Sequence, residues 1–210
     1  MSPRWSKLIV YGDLNCPFCF ALEQRLGARG VERNVEWHLV EHAPQLPTKP
    51  ELATPAELEE LACELDALAE RAPDVVIHAP PFRPNSRRGI VAVAEARRID
   101  PQRAEVLRRA LFRALWLEGR DIADEAVVTE LAHAAGLPTP GTSHAEAAAE
   151  DATQWTATWR ATNWNRIPCM ITDAETKLLG LAPVQRLELF LRSGLFSSST
   201  DDHCRSDDVR

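Results

Sequence analysis

LIVYGDLNCPFCFALEQRL, residues 8–26, decides how this chain is read. Leu8 to Tyr11 is a short apolar run, Gly12-Asp13-Leu14-Asn15 breaks it, and Cys19, Leu22 and Leu26 then recur at helical spacing. Strand, turn and helix follow in that order. Pro17 suits the first helical position, where a missing N–H costs nothing, so Cys16 falls at the N-cap. The two cysteines of CPFC, Cys16 and Cys19, are therefore a metal clip, a structural staple or a dithiol that exchanges disulfides.

The rest of the chain narrows that choice. Its 210 residues are 45% apolar and 26% charged, the balance of an ordinary globular protein. A formal charge of −7 and a pI near 5.4 exclude a nucleic-acid partner, which needs a basic surface to displace counterions. No signal peptide or membrane span is evident, so the protein reads as cytoplasmic, with protein or small-molecule disulfides and thiols as partners. Five cysteines in a reducing compartment are not a disulfide framework. A zinc site needs four ligands, usually in two close pairs, and Cys63, Cys169, Cys204, His38, His42 and His78 supply no second pair. No metal is expected. An inert buried dithiol is disfavoured because a strand-to-helix corner is expected to be exposed.

Downstream, Val35, Trp37 and Leu39 alternate with Glu36 and His38 as in a half-buried strand. From Pro44 the pattern turns helical. Thr54, Pro55 and Glu57 form a capping box ahead of Leu58, Leu61, Leu65 and Leu68. Further helices are predicted over 86–98, 101–117, about 125–135 and about 143–161; the second of these, apolar nearly all round, should be central. IPCMI and KLLGL then read as two strands around a polar turn, and PVQRLELFLRSG as a closing amphipathic helix. The predicted architecture is α/β: a β-α-β half and a β-β-α half (residues 1–53 and 162–196) around an all-helical insertion (54–161). A polar tail, 197–210, is expected to be disordered.

A Cys-x-x-Cys at the head of the first helix of such a chain reads as a thioredoxin-like redox motif. Over roughly residues 7–194 the sequence resembles the DsbA-like thiol oxidoreductases, particularly their cytosolic FrnE-type branch. The residues that carry the resemblance are Tyr11-x-Asp13-x-x-Cys16-Pro17-Phe18-Cys19, Asn85-Ser86 opening a helix, and Ile167-Pro168 before a strand. It implies a thioredoxin-like fold and a cis Pro168 facing the dithiol. Beside the sulfurs, the Ile167 backbone could then pair with an extended substrate. No cofactor is expected, although glutathione could be a co-substrate. The fold also resembles hydroxychromene-carboxylate isomerases and kappa-class glutathione transferases, which typically carry serine where Cys16 stands. A non-catalytic binding module beside Pro168 is the other alternative.

Exchange needs a thiolate, and a free cysteine with a pKa of about 8.5 is mostly protonated at neutral pH. The helix dipole, worth about 0.3 to 2 kcal/mol, is barely enough to change that. An N-cap sulfur could also accept the N–H groups of Phe18 and Cys19 and the Cys19 thiol. Cys16 is thus the expected nucleophile and Cys19, one turn inward, the resolving thiol. Pro17 and Phe18 add no charge, so a moderately acidic Cys16 and a reduction potential between the extremes of about −270 and −120 mV are expected.

Asp13 could accept the Cys19 proton or cap the turn. Cys169 should point into the core by strand alternation, and Cys63, among Glu59, Glu60, Asp66 and Glu70, should be a surface bystander. Cys204 lies in the tail. Trp155 and Trp159 read as packing residues, and His38 and His42 as ordinary strand and loop residues.

Overall fold

The computed structural model describes residues 8–31, 35–164, 166–173 and 175–196. The chain runs β1 (Leu8–Gly12), α1 (Pro17–Gly27) and β2 (Val35–Leu39), followed by five helices. These are α2 (Pro55–Arg71), α3 (Arg87–Ile99), α4 (Pro101–Trp116), α5 (Glu125–Ala134) and α6 (Ala145–Ala161). It closes with β3 (Cys169–Thr172), β4 (Lys177–Leu179) and α7 (Val184–Phe196). The element order is the one predicted. The proposed tail and Cys204 lie outside the described residues.

The sheet order is β2-β1-β3-β4, with β1 and β2 parallel and the other pairs antiparallel. Alternation along each strand builds two faces. Leu8, Val10, Trp37, Leu39 and Met170 join one core with α1, α4 and α7. Ile9, Tyr11, Cys169 and Ile171 turn the other way, toward Trp155 and Trp159 of α6 and Trp164. Cys169 is fully buried there, as alternation predicted.

Local chemistry explains the helix starts. Thr54 accepts the Glu57 amide and Glu57 reaches back to the Thr54 amide, completing the capping box of α2. Asp100 caps α4 through the Gln102 and Arg103 amides. At α3 the N-cap Ser86 makes no side-chain cap; Asn85 instead accepts the Arg87 amide at 2.7 Å. Two apolar positions depart from expectation. Leu58 on α2 and Val106 on α4 are exposed, because Leu61 and Leu68, and Leu107 and Leu111, already fill the inward stripes.

The helices reach back to the β1–α1 corner. Trp116 donates its indole N–H to the Leu14 carbonyl at 2.9 Å, and Asn15 donates its side-chain amide to the Pro84 carbonyl at 3.1 Å. A Cβ on Gly89 would stand 2.7 Å from Leu14 Cδ1, so α3 also presses closely on this turn. Fully buried Arg108 of α4 pairs with Glu23 of α1 at 2.9 Å and Glu105 at 2.8 Å, and its guanidinium stacks 4.6 Å from the Trp37 ring centroid. Unpairing such a buried charge would be strongly destabilising.

Candidate active site at the head of the first helix

β1 ends at Gly12, a position where no larger residue fits. A Cβ there would meet the Trp37 ring at 2.6 Å and Cys19 Sγ at 3.1 Å. The chain then turns through Asp13, whose carbonyl accepts the Cys16 amide at 3.2 Å, and α1 begins at Pro17. Cys16 occupies the N-cap with extended backbone (φ −98°, ψ 116°), as the position of Pro17 predicted.

Two expectations for Cys16 need correction. It is only 5% exposed, because the segments around Pro84 and Trp116 grip the turn that carries it. Its sulfur also makes no side-chain capping hydrogen bond. The Cys19 and Phe20 amides are both directed at the Cys16 carbonyl, each at 3.1 Å, which leaves the Cys19 amide close enough to favour a negative sulfur without capping it.

The two thiols nonetheless diverge. Burial pushes Cys16 up, but the Cys19 thiol hydrogen bond, the nearby His42 charge and the Cys19 amide together bring it below its ordinary value. Cys19 is fully buried and goes well above it. Burial is the largest cause, then its hydrogen bond and charge interaction with Cys16, which the Asp13 backbone offsets in part. The two thiols are thus displaced in opposite directions, Cys16 toward ionisation and Cys19 away from it. Both are free thiols, as are Cys63 and Cys169.

Asp13 is fully buried, and its carboxylate is committed to local donors. Oδ1 accepts the Asn15 amide at 3.3 Å, while Oδ2 accepts the His42 amide at 2.9 Å and the His42 ring Nδ1–H at 2.7 Å. His42 is the residue that sequence reasoning missed. The parallel register pairs Gly12 with Leu39, and Val40 donates its amide to the Gly12 carbonyl at 2.8 Å, so the residues after β2 run beside those after β1. That pairing was the only signal that could have found it. The His42 charge interaction also corrects the expectation that the helix end, the local amides and the Cys19 thiol alone shape the field at Cys16.

Phe18 packs against the cluster of Ala21, Leu68 and Ala72, with the Arg71 guanidinium 5.7 Å from its ring centroid. The Ile167–Pro168 peptide bond is cis. Ile167 packs against the cluster containing both cysteines, and the Pro168 carbonyl accepts the Gly180 amide at 2.8 Å. Cys169 faces the other side of the sheet, where burial pushes its thiol up to about 12 despite Lys177. Among the described residues no group of three or more His, Cys, Asp or Glu side chains could hold a metal ion, and no helix is long and apolar enough to cross a membrane.

Comparison with known proteins gives a family match over residues 7–192, to the DSBA-like thioredoxin domain. No curated protein matches the chain. Among solved structures, a Streptomyces coelicolor protein described as a probable DsbA oxidoreductase is 16% identical, with a TM-score of 0.70 over 95% of this chain and 94% of that one. A 2-hydroxychromene-2-carboxylate isomerase is 19% identical, with a TM-score of 0.65 over 89% and 93% of the two chains. The cytosolic disulfide reductase DsbM of Pseudomonas aeruginosa, solved with GSH, is 19% identical, with a TM-score of 0.60 over 90% and 98%. At these identities the structural likeness shows the fold.

Proposed function

This chain belongs to the family of DSBA-like thioredoxin domains, and we propose that within it the protein is a cytoplasmic dithiol–disulfide oxidoreductase of the FrnE type that works through Cys16 and Cys19. The observation that carries this reading is the geometry at the head of α1, where Cys16 holds the N-cap and Cys19 lies fully buried one turn inward, a placement that displaces the two thiols in opposite directions. In the forward direction the Cys16 thiolate attacks a substrate disulfide and expels one substrate thiolate. Cys19 then loses its proton, attacks Cys16 Sγ in the mixed disulfide and releases the second. Two electrons pass to the substrate, and a Cys16–Cys19 disulfide remains. Ile167 and Pro168 would offer backbone beside the sulfurs to an extended chain, with protein disulfides or glutathione as substrates. No tightly bound cofactor enters this cycle.

A glutathione-dependent isomerase on the same fold would use the site differently, holding glutathione without oxidising the protein. Titration of reduced protein with oxidised glutathione separates the two. An exchanger takes up one oxidising equivalent per chain, with the new disulfide mapping to the peptide holding Cys16 and Cys19. No uptake, or oxidation mapping only to Cys63 or Cys204, would refute exchange at this site.

A further inference from the structure

We infer that His42, clamped by Asp13, is the positioning residue that supplies the counter-charge to the Cys16 thiolate, a role this CPFC motif cannot fill from within itself. The inference rests on the reading of Cys16 as the reactive thiol. Its foundation is geometric: a fully buried carboxylate holding a partly exposed imidazole. Asp13 is fully buried, and its Oδ2 receives both the backbone amide and the ring Nδ1–H of His42, which fixes the ring orientation and leaves Nε2 as the nitrogen that gains or loses a proton. The His42 side chain is 31% exposed, whereas the carboxylate behind it is fully buried.

The charges around the ring favour a cation there. Asp13 from the β1–α1 turn, Cys16 from α1 and Glu64 from α2 all act on it in the same direction, and they outweigh burial to raise its ionisation range. Glu64 is itself paired with Arg83 at 2.8 Å. Glu41, the preceding residue, is turned to Asn85 and Arg87. Moving the Cys16 proton to His42 converts a neutral thiol and neutral imidazole into a thiolate–imidazolium pair with the same number of protons, so no co-reactant is needed. Because the sites interact, they titrate as a pair in two macroscopic steps.

The test needs no substrate. The His42 ring is followed by NMR through a pH titration in reduced protein and in protein whose Cys16 has been capped with iodoacetamide, with capping confirmed by peptide mass. Loss of the thiolate should lower the pH at which His42 titrates; the same midpoint in both would overturn the inference. In parallel, the rate of Cys16 alkylation, resolved by peptide mass, is measured from pH 5 to 9 in wild type, His42→Asn and His42→Lys. Asparagine can still donate to Asp13 but cannot carry charge, so its rate at pH 6 should fall about tenfold, the effect of removing one close opposite charge. The wild-type two-step profile should also become a single step shifted to higher pH. The permanent cation of His42→Lys should recover part of the loss. A folded His42→Asn with the wild-type profile would refute the role. Failure of oxidised glutathione to oxidise the wild type, with these shifts intact, would instead overturn the exchange reading and leave the His42–Cys16 pair standing.

Discussion

Cys16 and Cys169 are both buried cysteines, yet their thiols are driven in opposite directions by what surrounds them. Cys16 gains from the Cys19 hydrogen bond and from its charge interaction with His42, whereas Cys169 has the apolar company of Tyr11, Val40 and the α6 tryptophans. Burial therefore dominates at Cys169 and pushes it up to about 12. The consequence for stability has a definite sign. Because the folded value lies above the unfolded one, the neutral thiol's contribution is complete below the ordinary thiol range and is lost as pH rises from there toward about 12. Tyr11, also raised mainly by burial and secondarily by Cys169, acts in the same direction at the upper end. Urea unfolding of reduced protein at pH 8, 9.5 and 11 should show falling stability, with a shallower fall in Cys169→Ala. An equal slope in the two proteins would mean that Cys169 ionises freely in the folded state. At this scale the sequence placed Cys169 correctly by alternation alone. It could not place His42, because nothing in the run VEHAP distinguishes a loop histidine from one pinned by a carboxylate 29 residues earlier.

Among the elements, α3 shows what local patterns can and cannot report. Its apolar stripe was legible, since Ile90, Val93, Ala94 and Ala96 recur at helical spacing and are all buried. Glu95, between them, breaks the pattern and is only 2% exposed. Its carboxylate accepts the Gly141, Ser143 and His144 amides and so ties α3 to the loop that starts α6. Burial raises its ionisation range, but these backbone donors together outweigh burial and leave it lowered. A depressed folded value means stability that is present above the ordinary carboxylate range and lost as pH falls through the folded value. Glu95→Gln should cost about 1.5 to 3 kcal/mol at neutral pH, the worth of charged hydrogen bonds, and flatten the acid limb of the stability profile. Thermal melts from pH 3 to 7 check both, and an unchanged acid limb would deny Glu95 this anchoring role. The capping signals of α2 and α4 were legible because each lies within four residues of chain, whereas the Glu95 anchor spans 46 or more. Distance along the sequence sets what can be read from it.

In the whole molecule, the helices between β2 and β3 share one apolar core with the sheet and with α1: Trp37 of β2 meets Phe112 of α4 edge-on at 5.7 Å, and Phe20 of α1 lies 6.2 Å from the same ring. The order of elements and the CPFC position made the fold recognisable, because a dithiol at a helix N-terminus after a short strand has few other settings. The closure of α3 and α4 over the β1–α1 corner was not recognisable, since it depends on single contacts such as Trp116 to Leu14 and Asn15 to Pro84. Cys19 lies fully buried in this core beside Gly12, whereas Cys16 at the N-cap keeps 5% exposure, and on that difference rests the proposed division of labour between them. The most direct test of this division is intact mass after exposure of reduced Cys16→Ser and Cys19→Ser proteins to oxidised glutathione, each in a background with Cys63 and Cys204 replaced by serine. A stable single glutathione adduct on Cys16 is expected in Cys19→Ser and none in Cys16→Ser. Equal adducts on both variants, or an adduct on Cys16→Ser alone, would contradict it.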